Sequence, residues 1–472
     1  MIFHSLDYLG FLVLVLALYW ALPRRGQNLL IVAASALFYG YVHPWFLLLL
    51  AASTLTDYGC GRAMVARPEH KRRWLIVSVL VNLGMLATFK YFDFFAANVA
   101  SLLVAFGLQV DPVTLGLILP VGISFYTFQT LGYTIDVYRG RVEARRDWLD
   151  YAVFVCFFPQ LVAGPIERAA RMLPQIETSR RFDPVRAREG LLLMLWGYFK
   201  KVVIADNVGI TADRIFNLSD PGWPLLWVGV LAFCVQILAD FSAYTDIARG
   251  SARLLGFELM ENFNHPYLSR GPSEFWRRWH ISLSSWMRDY LYIPLGGSRV
   301  SRHRWALNIL AVFAVSGLWH GASWNFVGWG LFWALLILLS RVVHHLLPGR
   351  LREAVWLAPL RILLTFILTT VGWLVFRESD PEWLWHYLTL SPLAATASDW
   401  RFAGYLLTHV ALCASPLVVH AAADAVLRRL ADPEAAPAER ALALRLVAAC
   451  WLFIGILVLR SARGPDFIYF QF

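Results

Sequence analysis

Thirty-six consecutive residues, from Trp305 to Ser340, contain no Asp, Glu, Lys or Arg. A helix rises 1.5 Å per residue, so this run would extend about 54 Å, against a hydrocarbon layer of roughly 30 Å. A single straight crossing cannot use it, and the chain must break. Gly317, Gly321, Ser323 and Asn325 mark the natural place. Irregular backbone at membrane depth is tolerated only beside protein or a water-lined cavity that satisfies its polar groups. His320 sits at this break, the one group in the run that titrates near neutral pH. An ionisable side chain at depth is expensive unless something compensates, so its default reading is functional. The plainer alternative is an interhelical hydrogen bond, and Gly317-xxx-Gly321 also admits a close helix neighbour.

The rest of the chain is of the same kind. It is 58% hydrophobic and 16% charged, with a mean hydropathy of +0.55. Apolar stretches near span length recur, starting near Tyr8, Leu29, Trp45, Trp74, Phe94, Thr114, Tyr151, Leu191, Trp223, Trp305, Ala322, Leu360, Ala403 and Ala441. They lack the alternation of barrel strands. The expectation is an all-α, polytopic transmembrane helical bundle of about eleven to thirteen spans. Some stretches are expected to be re-entrant or interfacial. No internal repeat or linker divides the chain, so residues 1–472 read as one membrane domain.

Tyr8 to Leu22 runs into Pro23-Arg24-Arg25 without a small-residue cleavage site, and reads as a retained first span. Basic loops at Arg24-Arg25 and Arg62 to Arg73 are expected in the cytoplasm, with the N-terminus outside. Trp74 to Gly107 is awkward: too long for one crossing, short for two, with Lys90 and Asp93 in its middle. The net charge of +10 is carried by short loops such as 67–73 and 139–146, which suits anchoring to a lipid bilayer. A nucleic-acid partner would require a soluble basic domain, and the sequence has none. Five scattered cysteines, with no CxxC or Cys/His cluster, imply neither disulfides nor a metal.

The least lipid-like region is Glu258 to Arg304. Pro272-Ser273-Glu274 suits a helix start. On a helix from there, Trp276, Trp279, His280, Leu283 and Trp286 or Met287 form one stripe, with Arg277, Arg278 and Arg288 elsewhere. This predicts an amphipathic helix in the interface or dipping into the protein, ended by Leu295-Gly296-Gly297-Ser298. Arg277 and Arg278 beside His280 suit an anionic donor, or equally lipid headgroups. Asp240 and Asp246 could orient a histidine or pair with an arginine. An apolar surround favours a neutral His320, which can take a proton from a hydroxyl as a general base. Trp319, Trp324 and Asn325 could offer N–H donors to a developing oxyanion. Ser316 and Ser323 are weaker candidates as nucleophiles, and no GxSxG elbow is present.

Together these residues resemble the membrane-bound O-acyltransferases, and most of all their bacterial alginate O-acetyltransferase branch. The segments LPVGISFYTFQTLGYTIDVYRG, FFPQLVAGPIER, RRWHISLSSWMRDYLYIPLGG, GLWHGASWNFVGWG and the tail DFIYFQF carry the resemblance, which covers nearly the whole chain. It implies a central tunnel in a bacterial cytoplasmic (inner) membrane protein that moves an acyl group across the bilayer. His320 falls on the family's intramembrane histidine, implying the general base, and His280 on its second marked histidine. Trp319, Asn325, Arg277, Arg278, Trp279 and Asp246 are the supporting or binding candidates. The implied donor is acetyl-CoA, with no bound cofactor. The implied acceptor is an exported polysaccharide such as alginate, reached through periplasmic partner proteins. A sister branch moves D-alanine toward teichoic acid; there a different sequence is expected after Arg288-Asp289-Tyr290, where this chain has YIPLGG. Two readings of other classes remain beside it. A secondary transporter would usually show internal repeats. A non-catalytic secretion scaffold would not need both histidines.

Overall fold

The computed structural model describes residues 1–162, 164–352, 354–430, 439–461, 464, 467 and 468. Most of the polar 431–440 loop and of the DFIYFQF tail lies outside these residues. The regular elements among the described residues are all helical, with no strand. Among the described residues, five helices are long and apolar enough to cross a membrane: Pro68–Ala105, Trp223–Leu254, Trp324–Leu346, Val355–Arg377 and Ala397–Asp424. Leu6–Tyr19 and Leu446–Leu459 are apolar but shorter.

Several expected starting points take a different form. The stretch near Thr114 is not helical: Gly116 and Gly122 sit at φ +56° and +79°, and the helix begins only at Ile123. Such left-handed backbone is readily open to glycine and interrupts a right-handed helix. The stretch near Tyr151 is a nine-residue buried helix, Trp148–Cys156. The awkward run after Trp74 resolves into one continuous helical path. Lys71–Leu86 passes through a π-helical turn, Ala87–Tyr91, into Phe92–Ala105.

The charge-free run breaks where its length requires. One helix ends at His320 (Arg302–His320), Gly321 is extended, and the next begins at Trp324. The glycines let the two helices approach backbone to backbone. A Cβ on Gly317 would lie 2.1 Å from the Phe326 carbonyl oxygen, and one on Gly330 would lie 2.1 Å from that of Phe313.

The chain forms two compact units. The first comprises Met1–Gly190, Ala248–Glu261 and His280–Leu331; the second comprises Leu191–Ile247, Asn262–Trp279 and Phe332–Phe472. Within the first, Phe3, Tyr8, Phe11, Phe38 and Phe158 form an aromatic cluster. A polar seam crosses its interior. Asn82 donates to Asp57 at 2.8 Å, Ser78 donates to the other Asp57 oxygen, and Ser53 donates to Asn82 at 2.6 Å. Such bonds join helices where apolar packing gains nothing over lipid. Within the second unit, Phe275 stacks on Trp333 and Trp279, and Trp279 meets Trp373. A second π turn, Lys200–Ala205, carries two buried lysines. Lys201 lies between Asp206 and Asp240, at 2.9 and 3.1 Å.

Candidate active site

The expected single stripe through His280 does not form. The helix Pro272–Arg278 stops, Trp279 is extended, and His280 is left-handed at φ 43° and ψ 55°. A new short helix, Ile281–Met287, follows. Trp276, Trp279 and His280 therefore share no helical face. Trp279 is buried in the second unit among Phe263, Phe275 and Trp373. His280 is buried in the first. A left-handed residue with a Cβ costs about 1–2 kcal/mol. Strain of this kind persists where surrounding structure fixes it, often at functional sites. Gly296 and Gly297, at φ +107° and +56°, end the following element as the sequence suggests.

In the first unit His280 and His320 meet the same tryptophan. The His280 ring lies 5.7 Å from Trp319, edge on, and 6.2 Å from Phe125 in a stacked arrangement. The His320 ring lies 5.0 Å from Trp319 and 5.0 Å from Trp329, nearly perpendicular to both. Phe125 and Phe128, from the helix Ile123–Tyr138, complete the wall around Trp319. Both histidines and Trp319 are buried. Burial pushes the His280 imidazole down to about 3, so this ring is neutral at physiological pH. The Trp319 indole N–H is buried and has no hydrogen-bond partner among the described residues.

The helix end carrying His320 is fastened from the side. The last carbonyls of a helix have no partners within it. Here the Lys90 ammonium donates to the carbonyls of Trp319 and His320, at 2.6 and 3.2 Å. The Tyr91 hydroxyl donates to that of Leu318 at 3.0 Å. Both donors come from the π turn Ala87–Tyr91.

The other sequence candidates are placed as follows. Asn325 is half-buried at the start of Trp324–Leu346. Trp324 donates its indole N–H to Asn98 at 2.7 Å, which removes it as a free donor. Arg277, Arg278, Trp279 and Asp246 belong to the second unit. Arg277 is exposed. Arg278 pairs with Glu274 at 2.8 Å and donates to the Asn264 carbonyl. Asp246 accepts from Lys200 at 2.7 Å. Among the described residues no three His, Cys, Asp or Glu side chains converge as a metal set would.

Sequence reasoning assigned no role to Lys90, Tyr91, Phe125, Trp329 or Glu167. A lysine amid apolar residues was a visible signal; the aromatics carried none. Glu167, in the GPIER segment, is buried, and one of its oxygens accepts from the Met260 N–H. Burial pushes its carboxyl up to about 7.

Two buried imidazole rings thus meet one buried indole within the first unit. Comparison with known proteins gives the class to which the chain belongs. Residues 144–370, a span that includes both histidines, match the family model for MBOAT, the membrane-bound O-acyltransferase family. A relative from Azotobacter vinelandii, "Probable alginate O-acetylase AlgI", is 37% identical over the whole of both chains. The peptidoglycan O-acetyltransferase of Helicobacter pylori is 35% identical over 80% of this chain and 76% of its own. The teichoic acid D-alanyltransferase of Lacticaseibacillus rhamnosus is 29% identical over 47% of this chain and 58% of its own. The chain belongs to the membrane-bound O-acyltransferase family. It is an integral membrane protein and an O-acyltransferase.

Proposed function

We propose that this enzyme moves an acetyl group from acetyl-CoA on the cytoplasmic side of the bacterial inner membrane to an exported polysaccharide. His320 is the general base. Its neutral imidazole takes the proton of a hydroxyl, on the acceptor or on a partner protein's residue that relays the acetyl group, as that oxygen attacks the thioester carbonyl. The tetrahedral oxyanion then collapses, the C–S bond breaks, and the departing thiolate takes the proton from the imidazolium. A positioned general base contributes roughly 10²–10⁴-fold. The Trp319 indole N–H, with Asn325 in support, is suited to the oxyanion; one such donor is worth roughly 10²–10³ in kcat. His280 assists by positioning the reactants.

The observation that carries this reading is the pair of buried histidines meeting on Trp319, whose N–H has no hydrogen-bond partner among the described residues. Acetyl is favoured over D-alanyl because the acetylase-named relative spans the whole chain at 37% identity, whereas the D-alanyltransferases match only about half of it at 27–29%. The acceptor is alginate or a related envelope polymer, reached through periplasmic partners. The N-terminus faces outward in this reading, which the basic loops at Arg24-Arg25 and Arg62 to Arg73 support.

The test uses the purified enzyme in nanodiscs with acetyl-labelled acetyl-CoA, following thioester cleavage and label on alginate or a partner extract. Wild type should turn over, and His320→Ala should fall by at least about 10²-fold while remaining folded. A folded His320→Ala with wild-type turnover overturns the mechanism. Turnover with a D-alanyl carrier and none with acetyl-CoA overturns the donor.

A further inference from the structure

Lys90 stands in the 38-residue helical run Pro68–Ala105, one of the candidate spans. A cation there is expensive unless it is put to use. Its nearest acid in sequence, Asp93, is occupied elsewhere: it accepts from the backbone N–H groups of Leu115 and Gly116, at 2.7 and 3.2 Å. Among the described residues no carboxylate pairs with Lys90. Its ammonium instead donates to two main-chain oxygens, those of Trp319 and His320. It also lies 5.9 Å from the Trp319 ring.

We propose that Lys90 is a positioning residue for the acyl-transfer reaction, clamping the backbone of Trp319 and His320 so that the base and the indole donor hold their working geometry. The inference rests on the reading of His320 as the base. First, the end of a helix frays unless its last carbonyls are satisfied, and at membrane depth bulk water is not there to do it. Second, the negative end of the helix macrodipole is a natural seat for a cation, so the ammonium is attracted to that place by charge as well as by hydrogen bonding. Third, the clamp acts on the backbone of the two site residues themselves. The π turn Ala87–Tyr91 that delivers Lys90 is a rare element frequent at functional sites. Tyr91 holds the preceding carbonyl, of Leu318, from the same turn.

The experiment compares Lys90→Met, Lys90→Gln and Lys90→Arg with wild type and His320→Ala, all in nanodiscs with acetyl-CoA. Each preparation is checked for folding by size exclusion and thermal unfolding. Displacing a reacting group by about 1 Å can cost on the order of 10²-fold, so Lys90→Met should lose at least about tenfold in kcat. KM for acetyl-CoA should stay within about twofold, because ground-state binding is untouched. Lys90→Arg, which keeps a cationic donor, should recover most of kcat. Lys90→Gln, uncharged but still a donor, should fall between Met and Arg, and it serves if Met does not fold. A cap that matters only for stability would lower the yield or melting temperature and leave kcat per folded molecule unchanged. That result overturns the proposal, as does a loss that Arg does not restore. The two levels separate cleanly. If His320→Ala retains wild-type turnover, the base assignment fails. If His320→Ala is inactive while Lys90→Met and Lys90→Gln match wild type, only the Lys90 clamp fails.

Discussion

His280 offers a sharp test because its backbone reverses an ordinary rule. In a helix or strand, glycine is worse than alanine by roughly 0.5–1 kcal/mol. At φ 43° and ψ 55° the order should invert. Alanine keeps the left-handed penalty of about 1–2 kcal/mol, and glycine escapes it. Both substitutions lose a fully buried ring that packs on Phe125 and Trp319. Removing a larger aromatic from a core costs about 3–5 kcal/mol, so about 2–3 kcal/mol is a fair figure for this ring in the alanine variant. His280→Gly should then cost only about 1 kcal/mol, the difference being the strain released. For a chain of this length, 1 kcal/mol moves the melting temperature by about 2 °C or less, so the two variants must be melted side by side in one detergent. Activity is read on the same samples. The glycine variant disturbs the fold less, so it isolates what the imidazole does in the reaction. His280→Ala melting at or above His280→Gly would refute the left-handed turn. Wild-type turnover in His280→Gly would refute any role for the ring.

Two further expectations concern the same unit. The Glu167 carboxyl is raised from 4.5 to about 7 by burial. The native state therefore holds a proton that the unfolded chain releases at lower pH. Its contribution to stability is fully present below pH 4.5 and is lost as pH rises through 7. Glu167→Gln should flatten that slope in pH-dependent unfolding and be more stable than wild type at pH 8 by about 3 kcal/mol; equal slopes would show that the carboxyl ionises freely in the fold. Gly317→Ala would set a Cβ 2.1 Å from the Phe326 carbonyl oxygen. Forcing the two helices apart should cost about 1–3 kcal/mol and lower kcat, since His320 sits three residues on. A variant with wild-type stability and turnover would mean that the helices do not meet at Gly317.

The sequence was most informative where a length collided with a physical limit. A charge-free run of about 54 Å cannot lie straight in a layer of roughly 30 Å, so the break between Gly317 and Asn325 could be read in advance. It was least informative where the outcome depended on distant partners. Asp246 is answered by Lys200, 46 residues away, and nothing local distinguishes that from a histidine or an arginine. The stripe through Trp279 and His280 failed for a different reason. Helical periodicity assumes right-handed backbone throughout, and a single left-handed histidine carries no compositional mark as a glycine would. Thr114 shows the converse, since Gly116 and Gly122 were there to be read and the apolar count outweighed them. Lys90 lay between these cases: conspicuous as a charge, silent as to which carbonyls it would hold.

The three interruptions in the first unit bear on one another. The helix end at His320, the π turn at Ala87–Tyr91 and the left-handed His280 each disturb a regular helix. In hydrocarbon every backbone group so released must be satisfied inside the protein. For the carbonyls of Leu318, Trp319 and His320 this is done fully, by Tyr91 and Lys90. The buried Trp319 N–H is left unmet among the described residues, at a cost of about 1–3 kcal/mol, as are those of Trp74, Trp227 and Trp333; Trp319 differs in that its ring meets both histidines. Packing alone would be served as well by phenylalanine, which has nothing to satisfy. An indole kept at that cost, touching both histidines, fits a group that is absent between turnovers and arrives with a negative oxygen. An acyl carbonyl passing through its tetrahedral stage has that charge. Trp319→Phe should therefore leave stability nearly unchanged or improved, while kcat falls roughly 10²–10³-fold with KM little altered. A phenylalanine variant with full kcat would mean that the indole N–H contributes nothing to the transition state.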